Sequence, residues 1–401
     1  MMNAEVSASA SMDKKIGYYL SSNIQHLPPV IRLYPRLGGV IITDNTSIFA
    51  RANEKYSDYC LDIRLVENRA EARKLAFKLR LRLIVYPSFH LLYCGVAVQV
   101  FHGGLSDKRY IESARLTCYD LVLFPGQKAV DKAKLAGTLP YINSWKLVGY
   151  PKFDEFYKGS LTPVSLFDED RKVILYAPTW DSSVTSMKLG ERSLYGESSI
   201  QLWSLEIVRQ LGSHYNVIMK FHSKLVSDKI DIYDRVKDLI EELGYEANVK
   251  VVIDDDITPY MAASDAMISD ISSVCYEWLH FDRPILFANP APGRYKAGNQ
   301  ITDNTYVWQA GTVIDHSEDL LPFVRQALAT DDKQQDRRKL LDYAVFDSRG
   351  ESLSLQANLI EERYQSVRHL PWWWLYLRTS FKQRIARLFS TYLRYSKKIP
   401  R

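Results

Sequence analysis

Cysteine is scarce in this chain of 401 residues, and its four cysteines, Cys60, Cys94, Cys118 and Cys275, stand far apart with no C-x-x-C pair. That spacing argues against a zinc knuckle or a dithiol redox centre and fits reduced, small apolar residues of a cytosolic protein. The chain also lacks the G-x-G-x-x-G dinucleotide fingerprint and the G-x-x-x-x-G-K-[ST] phosphate loop. It has neither a solenoid repeat nor a low-complexity tract. The first fifteen residues hold no apolar core of signal-peptide length, so export is not expected. Charge is missing from Leu83 to Phe101, a 19-residue run near the length of a membrane span. Pro87, Ser88, His90, Gly95 and Gln99 interrupt that run, so it reads as two buried strands, Leu81–Tyr86 and Val96–Phe101, around a turn. Acidic residues are missing from Arg363 to Arg401, where ten Lys and Arg fall; the net charge of +5 therefore leaves residues 1–362 at −5.

What remains is a chain that is 46% hydrophobic and 12% aromatic, long enough for two or three cores. Apolar segments of strand length recur at Val40–Thr43, Leu83–Tyr86, Ala97–Phe101, Leu121–Phe124 and Lys146–Val148. After a polar stretch, Tyr157–Asp170, they resume at Lys172–Tyr176, Val217–Phe221, Val249–Ile253, Ala266–Ile268, Pro284–Phe287 and Gly311–Ile314. Helical patterns at Ser204–Leu211, Ile230–Leu243 and Ser273–His280 lie between the later ones. Strands alternating with helices predict an α/β fold of two doubly wound, Rossmann-like domains facing a ligand cleft at the carboxyl ends of the strands. The expected domains are 1–157, 171–362, and a tail, 363–401.

Polar residues just beyond buried strands are the candidates for chemistry. His102 leaves a strand with Gly103 and Gly104 behind it, where a histidine can take a proton and glycines let a ligand approach the backbone. Pro178, Thr179 and Trp180 form a turn after a second strand. Lys220 and His222 share one strand face and can meet one anion together. Ser269-Asp270-Ile271-Ser272-Ser273 runs into an apolar helix whose first turn offers amides and hydroxyls to phosphate, beside ordinary capping by Asp270 or Ser272. Asp254-Asp-Asp256 before Thr258-Pro259 reads as a helix cap rather than a metal site, and no metal site or cofactor is expected.

Taken in order, these segments resemble the CDP-glycerol glycerophosphotransferase family of teichoic acid primases and polymerases. The family pattern W-H-G-T-P-L-K, G-Y-P-R, L-Y-A-P-T-W, a basic strand ending in H-P, S/T-D-Y-S-S-x-x-x-D and K-P-I-I-F has counterparts here. They are Phe101-His102-Gly-Gly-Leu-Ser106, Gly149-Tyr-Pro-Lys152, Leu175-Tyr-Ala-Pro-Thr-Trp180, Lys220-Phe-His222, Ser269-Asp-Ile-Ser-Ser273 with Glu277, and Arg283-Pro-Ile-Leu-Phe287. Phe346-Asp-Ser-Arg-Gly350-Glu-Ser352 is similar to a late D-G-x-x-S segment. The resemblance implies a glycosyltransferase B type fold and transfer of glycerol phosphate from the donor substrate CDP-glycerol to a hydroxyl of a glycan or lipid-linked acceptor, releasing CMP, in synthesis of a teichoic-acid-like or capsular envelope polymer. His102 would be the base and His222 with Lys220 would hold the phosphoryl group. Gly103, Gly104, Lys152, Pro178, Thr179, Asp270, Ser272, Ser273 and Glu277 would contact the donor, with 1–157 as the acceptor-side domain and 171–362 as the nucleotide-donor domain. The chain departs from the pattern at the Thr-Pro after His102, the Pro after His222, and the Asp that Glu277 replaces. A sugar-nucleotide glycosyltransferase or epimerase, or a CDP-ribitol enzyme, uses the same architecture.

In the tail, Trp372-Trp-Trp374-Leu-Tyr-Leu377, Phe381, Ile385, Leu388, Phe389 and Tyr392 recur at helical spacing, with Arg387, Arg394 and Lys398 on the other face. That pattern predicts an amphipathic helix over 371–401 lying on an anionic membrane surface, with Arg378 snorkelling. The expected location is the inner face of the cell membrane, and no nucleic acid partner is expected.

Overall fold

The computed structural model describes residues 14–102, 104–180, 197–222, 231–254 and 256–397. They divide into two compact units: one from the described parts of 1–104, 111–157 and 346–401, the other from those of 105–110 and 158–345.

The first unit is built on a seven-stranded, wholly parallel sheet. Its strands are β1 (Ile16–Leu20), β2 (Val40–Thr43), β3 (Ile63–Leu65), β4 (Leu83–Tyr86), β5 (Val96–Gln99), β6 (Leu121–Phe124) and β7 (Trp145–Leu147), in the order β3-β2-β1-β4-β5-β6-β7. The charge-free run resolves into β4 and β5, paired in register from Leu83↔Val96 to Tyr86↔Gln99. Both strands are buried throughout, which is why their sequence is continuously apolar rather than alternating. Strand order reverses between β1 and β4, so the crevice of this sheet opens at their carboxyl ends.

The second unit carries a six-stranded parallel sheet of β8 (Val173–Tyr176), β9 (Asn216–Phe221), β10 (Val249–Ile253), β11 (Ala266–Ser269), β12 (Ile285–Ala288) and β13 (Thr312–Ile314), ordered β10-β9-β8-β11-β12-β13. The helices Ile200–Leu211, Ile232–Glu242 and Leu320–Ala329 lay buried faces on it. Here the order reverses between β8 and β11.

Two chain segments depart from the expected boundaries. Residues 346–362 join the first unit rather than the domain expected over 171–362: Ala357 and Ile360 of helix Ser352–Gln365, with Tyr364 beyond them, pack into the core around Ile16 and Leu83. Tyr364 Oη accepts from Lys15 N, and Arg82 Nη1 donates to the carbonyls of Val367 and Leu370. The boundary lies where the next apolar helix face finds its core. Leu105–Tyr110 goes the other way, into the second unit.

The tail forms one helix, Trp372–Lys397, and it docks on the first unit. Leu375 and Leu393 are buried, Gln383 Nε2 donates to Gly95 O, Arg73 donates to Tyr376 Oη and Ser380 Oγ, and Lys382 pairs with Asp120. Its docked face is thus largely small and polar. Trp373, Leu377, Phe381, Ile385, Leu388, Tyr392 and Tyr395 are exposed, with Leu388 at 73%. Arg378 lies over the Trp374 ring at 5.1 Å. Among the described residues no helix is long and apolar enough to cross a membrane.

Candidate active site

In the first unit, three histidines gather where the strand order reverses. His26 follows β1, His90 follows β4 and His102 follows β5. Phe101, buried and at φ +51, turns the chain out of β5. A left-handed bulky residue costs on the order of 1–3 kcal/mol, and its surroundings hold it: Phe101 N donates to Gln99 Oε1, and Gln99 Nε2 donates to Ser88 O. The strain redirects His102 so that its Nδ1 meets Pro87 O at 3.0 Å. A carbonyl only accepts, so Nδ1 carries the proton and the lone pair of the neutral ring is on Nε2. His26 packs edge-on against His102, ring centroids 4.3 Å apart, and donates from Nδ1 to Ser21 O at 2.7 Å. Burial, then the His102 charge, push the His26 pKa down to about 2, so His26 stays neutral. Burial also lowers that of His90. The arrangement holds one imidazole oriented for proton transfer beside a second that cannot share its charge.

Around it, Gly104 makes a close approach to Pro125: a Cβ there would meet Pro125 Cγ at 3.0 Å. Gly103 lies outside the described residues. Lys152 sits in a short turn, Pro151–Phe153, of this same unit, whereas every remaining donor residue of the sequence reading belongs to the second. Gly149 explains why the G-Y-P segment and the late D-S-R-G-E-S segment occur together. At φ +75, its missing Cβ would strike Ser352 Oγ and Phe346 O. Asp154 then caps the helix that follows, accepting from Ser352 N and Leu353 N.

In the second unit, the reversal between β8 and β11 is organised by Asp270. It is fully buried, with its carboxylate accepting from Thr179 N at 2.9 Å, Ser199 N at 2.8 Å and Ser199 Oγ at 3.0 Å. Burial raises its pKa, against those hydrogen bonds and the Lys108 charge. Asp270 therefore ties the exit of β8 to the start of helix Ile200–Leu211, and does not cap the helix after it. That helix is also shorter than Ser273–His280: it runs Val274–Trp278 and tightens into a 3-10 turn that ends at left-handed Asp282. Its macrodipole is correspondingly small, so Ser272 and Ser273, both half-buried, offer local groups rather than a long helix end. Pro178, Thr179 and Glu277 are buried.

Lys220 is buried too, and its Nζ donates to Asp254 O at 2.5 Å, bracing β9 against the end of β10; His222 is half-buried just beyond. Of the acidic run, Asp256 caps the next helix by accepting from Thr258 N and Oγ1, as its Thr-Pro sequence predicts; Asp255 lies outside the described residues. Among the described residues no three acidic, histidine or cysteine side chains are placed to hold a metal. Cys94, Cys118 and Cys275 are buried, with burial pushing the first two thiols up to about 12 and 11; Cys60 is exposed.

Sequence reasoning missed His26, Asp107 and Lys108. Asp107 accepts from Tyr276 Oη at 2.6 Å and Val307 N at 2.8 Å, and Lys108 Nζ donates to Thr179 Oγ1 at 2.8 Å. A lysine six residues after His102, where the family pattern has one five after its histidine, was a signal that could have marked Lys108.

Comparison with known proteins bears on this geometry directly. Residues 110–351, more than half of the chain, match the family CDP-glycerol:poly(glycerophosphate) glycerophosphotransferase. The chain belongs to that family. A teichoic acid poly(glycerol phosphate) polymerase of Bacillus spizizenii is 29% identical over 153 residues, 35% of this chain and 34% of that protein. A teichoic acid glycerol-phosphate primase of Bacillus subtilis is 27% identical over 181 residues, 43% of this chain and 41% of that one. The similarity thus spans well under half the length of these relatives. Among solved structures, the wall teichoic acid polymerase TagF superposes with a TM-score of 0.58 at 19% identity, covering 88% of this chain and 90% of that one. The shared fold is the two-unit, parallel-sheet architecture of the glycosyltransferase B type.

Proposed function

We propose that this family member transfers glycerol phosphate from CDP-glycerol to a hydroxyl of a glycan or lipid-linked acceptor, in synthesis of a teichoic-acid-like or capsular envelope polymer. The observation that carries the reading is His102 in the family's histidine position with its proton fixed on Nδ1 by Pro87 O. In this reading Nε2 of His102 takes the acceptor's proton as its oxygen attacks the phosphorus bearing glycerol. The bond from that phosphorus to the bridging oxygen breaks, and CMP leaves with the electron pair. Phosphoryl transfer asks for positioning and charge stabilisation more than for covalent help. Thr179, Ser272, Ser273 and Glu277 of the second unit contact the donor, with Pro178 shaping the turn. Lys220 and His222 sit at the end of the adjacent strand as phosphoryl-binding groups, and Lys152, Gly103 and Gly104 serve from the first unit. Asp270 acts through Thr179, as a brace.

A location at the inner membrane face is supported by the exposed aromatic stripe of helix Trp372–Lys397, which faces away from its docked polar side. Ten cations and no acid between 363 and 401 complement anionic lipid. The test is release of CMP from CDP-glycerol with a lipid-linked acceptor. UDP-sugars and CDP-ribitol are the controls that separate the other donors.

A further inference from the structure

We propose that Lys108 is the cation that holds the donor's diphosphate in the second unit, and that Asp107 fixes it there; this rests on the donor-site reading of that unit. Leu105–Tyr110 comes from the first half of the sequence, yet its side chains are built into the second unit. Asp107, 4% exposed, spends one carboxylate oxygen on Tyr276 Oη and the other on Val307 N, so it grips the short helix after β11 and the turn before β13 at once. A carboxylate held at both oxygens fixes the backbone of its neighbour. That neighbour, Lys108, is 9% exposed and reaches Thr179 Oγ1, in the same residue whose backbone N is bound by the Asp270 carboxylate.

The position is the reason for the assignment. Thr179 follows β8 and Asp270 follows β11, the two strands between which the order of the sheet reverses, and ligands of doubly wound sheets bind in that crevice. The cation singled out from sequence, Lys220, lies at the end of β9 and bonds the carbonyl of Asp254, just past β10. Lys108 is the lysine delivered to the reversal itself. The carboxylate of Asp270 is met by two amides and a hydroxyl, and the Lys108 charge favours its ionised form as well. Lysine fits this role because its ammonium is a compact point charge on a flexible stem, able to follow a phosphate as charge builds on the bridging oxygen.

Calorimetric titration of CDP-glycerol into the full chain tests this, at two ionic strengths, for wild type, Lys108→Arg, Lys108→Met and Asp107→Asn. Losing a charge-assisted contact should weaken binding about 30-fold in Lys108→Met. Lys108→Arg should stay within about fivefold of wild type, with Asp107→Asn in between. The salt dependence of the affinity should flatten in Lys108→Met alone, which a purely structural lysine would not produce. Equal affinity and equal salt dependence in Lys108→Met and wild type would overturn the assignment while leaving the donor reading intact. If wild type itself does not bind CDP-glycerol, the donor reading falls and the assignment with it. If Lys108→Met does not fold, Lys108→Gln decides, since it keeps a polar group for the Thr179 hydroxyl and removes only the charge: weaker binding with a flattened salt dependence supports the role, and affinity and salt dependence equal to wild type overturn it.

Discussion

The two sheet reversals make a pair that differs in chemistry although not in topology. In the first unit the crevice between β1 and β4 is furnished with imidazoles, His26, His90 and His102. In the second, the crevice between β8 and β11 holds a buried carboxylate, hydroxyls and the Lys108 ammonium. In the proposed function the first moves a proton and the second fixes an anion. The same device of a polar residue just past a buried strand would then serve as a base in one unit and a binding group in the other, according to what surrounds it.

The largest effect that would sharpen this contrast is on turnover. His102→Ala should lower CMP release by about 10³-fold, within the range of general base catalysis, while leaving the dissociation constant for CDP-glycerol within about threefold of wild type. Loss of donor binding in that variant would erase the division between the two crevices. Next in size is Asp270→Asn. It places an amide NH₂ or a neutral oxygen where three donors converge, so unfolding in urea should show a loss of about 3 kcal/mol. A variant as stable as wild type would mean that Asp270 is no brace.

The first crevice carries its own pH signature. His26, with its folded pKa pushed down to about 2, stays neutral while the unfolded chain protonates below about 6.5. The unfolded state then binds more protons, so stability must fall as pH falls. Between pH 7.5 and 5 this one residue accounts for about 2 kcal/mol of that loss. His26→Phe should flatten the stability curve over that interval. An unchanged slope would show that His26 is solvated. The smallest effect concerns the tail: Phe381→Glu with Leu388→Glu should reduce binding to anionic vesicles about tenfold while the unfolding midpoint holds, because both residues are exposed. Removing the whole helix is the poorer test, since it would uncover Leu375, Gln383 and Leu393.

Much of this was legible beforehand. Eleven of the thirteen strands among the described residues stand where apolar runs occur, because parallel strands covered on both faces need continuous apolar sequence. The two that were missed break that rule. β1 reads Ile-Gly-Tyr-Tyr-Leu, interrupted by a glycine on which the Leu81 side chain packs closely; β3 is a three-residue edge strand, largely exposed. His102 could be found from its strand and its glycines. His26 could not, since it ends the 3-10 turn Ile24–His26 and its neighbour in space is 76 positions away in sequence. Lys108 was hidden for a related reason: only the fold shows that a segment of the first half is built into the second unit. The tail was half legible, its helical spacing plain and its docking through Gln383, Ser380 and Lys382 invisible, because polar residues ordinarily mark the solvent face.

The most direct test is CMP release from CDP-glycerol, in the presence of anionic vesicles carrying a lipid-linked acceptor, measured side by side for wild type and His102→Ala. The account predicts acceptor-dependent release by wild type and about a thousandth of that rate in the variant. No release by wild type, or equal release by both, would contradict it.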